Sequence, residues 1–157
     1  MVEVKINQQG GHDFLWIDKE LWMWDTPWEN KLQKDLADRA LGRVLVAGYG
    51  LGKVHEGIIE NPEVLSLETI EKYPEVIDAC KKRYGEVYGD ITIGDFNDYN
   101  FDKKYHCVIG DIWQEIHPKF LPEYKQFKEK AETLLIPGGK ILTWGEDFFE
   151  YLISRED

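Results

Sequence analysis

The sequence predicts an α/β protein, a three-layer sandwich with helices on both faces of a mostly parallel sheet. Three observations predict it. Short apolar runs alternate with amphipathic helical patterns, glycine or proline punctuates the changes of period, and 43% hydrophobic against 31% charged residues is the balance of an ordinary globular chain. A length of 157 residues suits one core, and no repeat, low-complexity stretch or linker divides it. The expectation is one domain over residues 1–157, with an N-terminal hairpin extension at 1–28 and a core at 43–144.

The elements follow in order. Val2, Val4 and Ile6 alternate, Gly10-Gly11 turns the chain, and Phe14 to Ile17 and Leu21 to Trp24 follow, the pattern of a small hairpin or meander. Its Trp16, Trp22, Trp24 and Trp28 form an aromatic apron expected to pack on the core, with one ring reaching a site. Leu32, Leu36, Ala40 and Leu41 recur at helical spacing up to Gly42. Val44 to Ala47 is continuous and apolar, as a parallel strand covered on both faces should be, and runs into the glycines of Gly48 to Gly52. Lys53 to Glu60 suits a short helix. Val64 to Leu67 reads as the second strand, ending at Glu68. A helix starts at Pro74, with Glu75 at its positive end and Lys81, Lys82 and Arg83 at its negative end. Val87 to Ile93, Tyr105 to Ile109 and Lys140 to Trp144 give the remaining strands, the last preceded by a turn at Pro137-Gly138-Gly139. Phe120 to Leu135 carries the helix between the last two, and Phe148 to Ile153 a short amphipathic tail. Right-handed crossovers between such strands give a Rossmann-like sheet.

Composition narrows the function. A formal charge of −11 repels a phosphate backbone, so nucleic acid is not the expected partner and cationic or neutral small molecules are. Cys80 and Cys107 lie outside any CxxC pair, and His12, His55, His106 and His117 are scattered without ligand spacing, so no metal site is expected. No basic-then-apolar opening and no membrane-spanning run are present, so the expected location is the cytoplasm, away from membranes.

The first chemical signal is Gly48-Tyr49-Gly50-Leu51-Gly52, a strand running into a glycine turn that lets a ligand lie against bare backbone. The second is Glu68, twenty residues after Gly48, where a strand-end carboxylate accepts from the ribose hydroxyls of an adenosine; Thr69 follows it. Lys53 stands where the dinucleotide fingerprint needs glycine, which argues against NAD. Gly94-Asp95-Phe96 follows the third strand, where a carboxylate meets an adenine amino group and an aromatic ring packs on the base.

On these motifs the chain resembles the class I S-adenosylmethionine-dependent methyltransferases along residues 43 to 144. VAGYGLG looks like their glycine motif, SLE their ribose motif, GDFNDY their adenine motif, YHCVIGDIW their fourth strand and LLIPGGKILTW their late turn and fifth strand. Within that fold, LWIDKELWMWDTPWENKLQKDLAD resembles the segment before the glycine motif of the spermidine synthase group. That group usually carries acids at the positions of Leu51 and Gln114, which handle a polyamine, and its fold continues past strand five. A fifth strand left at the sheet edge makes a homodimer a reasonable expectation.

The resemblance implies S-adenosylmethionine as cofactor, bound by Gly48, Tyr49, Gly50, Gly52, Glu68, Thr69, Asp95 and Phe96. Asp111, just past the fourth strand, is the expected catalytic contact that orients and deprotonates an attacking amine. Trp113, Trp144 and Glu146 are the candidate substrate contacts, the rings through cation–π attraction. Methyl transfer to a small molecule is the leading expectation. Aminopropyl transfer and a non-catalytic module that binds S-adenosylmethionine are the rivals.

Overall fold

The computed structural model describes residues 1–156. Three antiparallel strands come first, β1 (Val4–Gln9), β2 (His12–Ile17) and β3 (Glu20–Trp24), paired in the order β1-β2-β3. Then follow α1 (Pro27–Arg39), β4 (Gly42–Ala47), α2 (Lys53–Ile59), β5 (Val64–Glu71), α3 (Pro74–Tyr84) and β6 (Asp90–Ile93). The chain continues through β7 (Tyr105–Gly110), a 3-10 turn at Pro118–Phe120, α4 (Leu121–Glu132), β8 (Leu135–Thr143) and α5 (Glu146–Ser154). The second sheet has the order β6-β5-β4-β7-β8, and every pair in it is parallel. Strand order reverses beside β4, so β4 and β7 flank the switch point where open α/β sheets bind ligands.

The central strands are buried on both faces, and their alternation sorts side chains into two cores. Leu45, Ala47 and Val108 face an aromatic layer built with Tyr124 and Phe127 of α4 and Phe149 of α5. Val44, Val46, Cys107 and Ile109 face a layer of aliphatic residues with Leu36 and Ala37 of α1 and Val54 and Ile58 of α2. Trp113 belongs to the first layer. It is 2% exposed, edge-on to Tyr124, Phe127 and Phe149 with centroids 5.4 to 5.7 Å away.

The N-terminal sheet docks on α3. Ile17 packs with Val76, Ile77 and Cys80, joined by Val2, Val4 and Ile6. The buried Asp13 carboxylate accepts from Arg83 Nη2 at 3.1 Å and from the Tyr84 hydroxyl, which fixes the sheet's seat.

Several boundaries differ from expectation: β6 starts at Asp90 rather than Val87, α4 ends at Glu132 with Leu135 already in β8, and three more bear on the site or the sheet. β5 runs three residues past Glu68, because Ile70 continues the inward face and Thr69 is held inside by a 3.0 Å bond to His55. Pro137-Gly138-Gly139 lies inside β8, where the pairing slips from Tyr105↔Leu135 to Cys107↔Lys140 and Gly138 takes φ +80°. The glycine turn thus becomes a bulge rather than a strand start. Leu41 is 40% exposed, because α1 has already ended at Arg39 and the strand's first inward residue is Gly42. Among the described residues no helix is long and apolar enough to cross a membrane.

Candidate active site

The carboxyl ends of β4, β5, β6, β7 and β8 open into one cavity of about 210 Å³. Gly48, Gly50, Glu71, Asp95, Asp111 and Trp144 line it from the sheet side. Trp22, Met23 and Trp24 of β3 line it from above, with Leu15 and Ile17 of β2. Two rings of the N-terminal apron therefore reach the site. Trp16 instead donates to Asn7 at the surface, and Trp28 is 69% exposed.

The glycine turn is formed by backbone geometry that L side chains rarely adopt, with φ +95° at Gly48 and +57° at Gly50. A Cβ on Gly48 would lie 2.8 Å from the Asp111 carbonyl oxygen, so this glycine lets the ends of β4 and β7 approach. Over Gly50 sits Met23, whose Sδ would meet a Cβ at 2.6 Å and accepts the Leu51 amide at 3.3 Å. Gly52 lies outside the cavity wall, beneath the Tyr49 ring. That ring is itself turned inward, tilted against His55 with centroids 4.3 Å apart, and its hydroxyl accepts the Tyr88 amide, so Tyr49 offers the site its backbone.

The strand-end carboxylate is Glu71, not Glu68. Glu71 is 7% exposed and accepts the Tyr49 amide on Oε1 and the Tyr73 amide on Oε2, both at 2.9 Å. Burial raises its pKa despite those bonds. The Gly50 and Lys72 amides also act to lower it, so four backbone amides surround this carboxylate, which lines the cavity. Glu68 lies three residues, or about 10 Å, down the strand. There it accepts from Lys103 and from the Tyr105 hydroxyl, both at 3.3 Å, and it does not line the cavity. Thr69 is likewise sealed inside against His55. The periodicity placed the acid three residues early because Glu68 and Thr69 look like the polar end of an apolar run.

Asp95 and Phe96 both reach the cavity wall. Asp95 Oδ1 accepts the Asn97 amide at 2.9 Å, and Oδ2 lies 3.8 Å from Lys72 Nζ. Phe96 is mostly a core residue, 3% exposed and 4.9 Å from the Phe127 ring.

At the far end Asp111 Oδ2 accepts from Gln33 Nε2 at 3.1 Å, and the same nitrogen donates to Glu29 Oε1 at 3.1 Å. Burial, reinforced by the Glu29 charge, pushes the Asp111 carboxyl up to about 7; burial also raises Glu29. The Trp144 indole stands beside the Glu29 carboxyl and opposes the rise that burial causes, although its buried Nε1–H closes no hydrogen bond of ordinary geometry. Glu146 is drawn off to Arg39 at 3.5 Å and lies outside the cavity. Trp113 closes the cavity floor from the core and donates to the Trp144 carbonyl at 3.2 Å, so it supports Trp144. Glu29 and Gln33 are the residues that sequence reasoning missed. Their signal was present: they extend the buried stripe of Leu36 and Ala37 one turn at a time into polar residues.

No protein-family model matches the sequence, and no curated protein does. Solved structures do resemble it. DesVI from Streptomyces venezuelae superposes with a TM-score of 0.54 at 19% identity, over 73% of this chain and 49% of that one. A structure of the amino pentose methyltransferase CalS10 from Micromonospora echinaspora with S-adenosylmethionine bound gives 0.56 at 20% identity, over 76% and 51%. The N-methyltransferase NodS from Bradyrhizobium japonicum WM9 gives 0.57 at 16% identity, over 83% of each chain. The chain spans about half the length of the first two. At these identities the likeness defines the fold, which is the Rossmann-like fold of S-adenosylmethionine-dependent methyltransferases. The nearer likeness to the spermidine synthase group gains no support from these structures.

Proposed function

We propose that this chain binds S-adenosylmethionine and transfers its methyl group to a small molecule. The observation that carries the reading is the pairing of the Gly48–Gly50 turn with the strand-end Glu71 across one cavity at the switch point of the sheet. The residues fit a nucleoside: bare backbone at Gly48, the Glu71 carboxylate for the ribose, and Asp95 and Phe96 at the base end. Met23 occupies the face of Gly50, and a cavity of about 210 Å³ is smaller than the roughly 300–1,000 Å³ of small-molecule sites. Seating the cofactor therefore requires the Met23 thioether to swing off the loop, a movement its unbranched side chain allows.

Bound there, the cofactor supplies an electrophilic methyl group on a sulfonium. The chain's part is chiefly alignment, holding the acceptor in line with the methyl carbon. Trp22 and Trp24 roof the cavity against water, and Asp111 presents a carboxyl at the acceptor end, where it takes up a proton.

Isothermal calorimetry with S-adenosylmethionine, its decarboxylated form, S-adenosylhomocysteine and NAD tests the reading. Binding of the first and third at micromolar concentration is expected. Preference for the decarboxylated form would redirect the reading to aminopropyl transfer, and binding of none of the sulfur compounds would overturn it.

A further inference from the structure

Resting on that reading, we propose that the acceptor is an amine, its nitrogen held by Glu29, Gln33 and Asp111 beside the indole of Trp144. Two carboxyls share one wall of the cavity, and among the described residues neither has a basic partner; only the Gln33 amide joins them. An acidic pair alone would say little. The amide adds an independent observation: Gln33 is 1% exposed, lines the cavity, and keeps its Oε1 buried without a partner. Its orientation is set by the network, because Nε2 must face the two acceptors and the oxygen is left over. A buried acceptor left unmade is costly, and a ligand bringing N–H donors resolves it.

An ammonium group brings three N–H donors to a wall where the Glu29 and Asp111 carboxyls and the Gln33 amide are gathered. A hydroxyl brings one donor and no positive charge. The rings of Trp144, Trp22 and Trp24 add faces that attract a cation. The charged groups facing Asp111 are Glu29 from α1 and Glu71 from β5, both acidic, so the local field favours a positive guest.

The step balances without another reactant. The ammonium loses one proton to the Asp111 carboxylate, which exposes the nitrogen lone pair. The nitrogen–carbon bond forms as the carbon–sulfur bond breaks, and the pair of that bond stays on sulfur as a neutral thioether. The product leaves as a methylated ammonium, and the proton on Asp111 returns to solvent.

The test is titration of the full chain at pH 8 with butylamine, benzylamine and 1,4-diaminobutane against butanol and benzyl alcohol, with and without S-adenosylhomocysteine. Amines are expected to bind roughly tenfold or more tightly than the alcohols, and Glu29→Gln and Asp111→Asn to remove that preference. Both substitutions keep shape, and circular dichroism checks their fold. Amines that bind no better than alcohols, or equally well to both variants, overturn the inference. Failure of S-adenosylhomocysteine to bind would instead sink the methyltransferase reading, and the titrations without it would still decide the amine site.

Discussion

Glu29 and Asp111, eighty-two residues apart in sequence, share a single hydrogen-bond donor: Gln33 Nε2 reaches each at 3.1 Å. The pairing places two buried acids at the mouth of β7, the pKa of each raised by burial, and ties α1 to the end of the sheet. Its electrostatics are unfavourable on their own, because burial and like charge both oppose ionisation.

That strain sets a pH dependence. The folded Asp111 holds its proton up to about 7, well above the ordinary carboxylate range, so the folded state binds more protons than the unfolded one between about pH 4 and 7. Its contribution to stability is present below that window and is lost as pH rises through it. Asp111→Asn should flatten this part of the profile and raise the melting temperature at pH 8 by a few degrees, about 1–2 kcal/mol. Thermal melts of the two proteins at pH 5 and pH 8 check the sign; an equal difference at both would contradict it.

Glu71 and Glu68 separate by their effect on the cofactor. Glu71→Gln should weaken S-adenosylhomocysteine binding roughly tenfold or more, through lost charge-assisted hydrogen bonds to the ribose. Glu68→Gln should leave it within about twofold, since its partners are Lys103 and Tyr105 outside the cavity. Calorimetry on the two variants measures both, and the reverse ranking would restore the earlier residue.

Binding should move the roof. Trp22 and Trp24 flank Met23, which covers Gly50, so displacing the thioether changes the surroundings of both indoles. Tryptophan emission is expected to shift on titration with S-adenosylhomocysteine, and Trp22→Phe with Trp24→Phe to remove most of the shift. Met23→Ala should tighten binding by clearing the loop. An unchanged spectrum at saturation would show that the roof stays put.

Trp113 should behave as a core residue. Trp113→Ala is expected to destabilise the fold by about 3–5 kcal/mol, as aromatic truncations in a packed layer do. Trp113→Phe should retain most of the stability and leave cofactor affinity unchanged. Urea denaturation followed by calorimetry distinguishes this from a direct binding role.

Much of the fold was legible because it follows from local rules. The unbroken Val44 to Ala47 run demanded a strand covered on both sides, Pro74 and the Lys81–Arg83 cluster marked the two ends of α3, and Gly48 to Gly52 had to be a turn. Glu71 was hidden because β5 carries Glu68 and Thr69 in its middle, where a lysine with a tyrosine and a histidine satisfy them from other elements. Glu29 and Gln33 were passed over, although they continue the Leu36 and Ala37 stripe, because polar residues on an amphipathic helix look like its solvent face until the helix is seen packed inward.

The amino-acid sequence by itself determined the layered α/β architecture, the position of the glycine turn and the presence of acids near the strand ends, since periodicity and backbone stereochemistry act over a few residues. Only the tertiary structure decided which of those acids meet. Glu71 faces the cavity, and Glu29, Gln33 and Asp111 converge from α1 and β7, because strand register and helix docking, set by the two cores, choose the side chains left pointing into the gap.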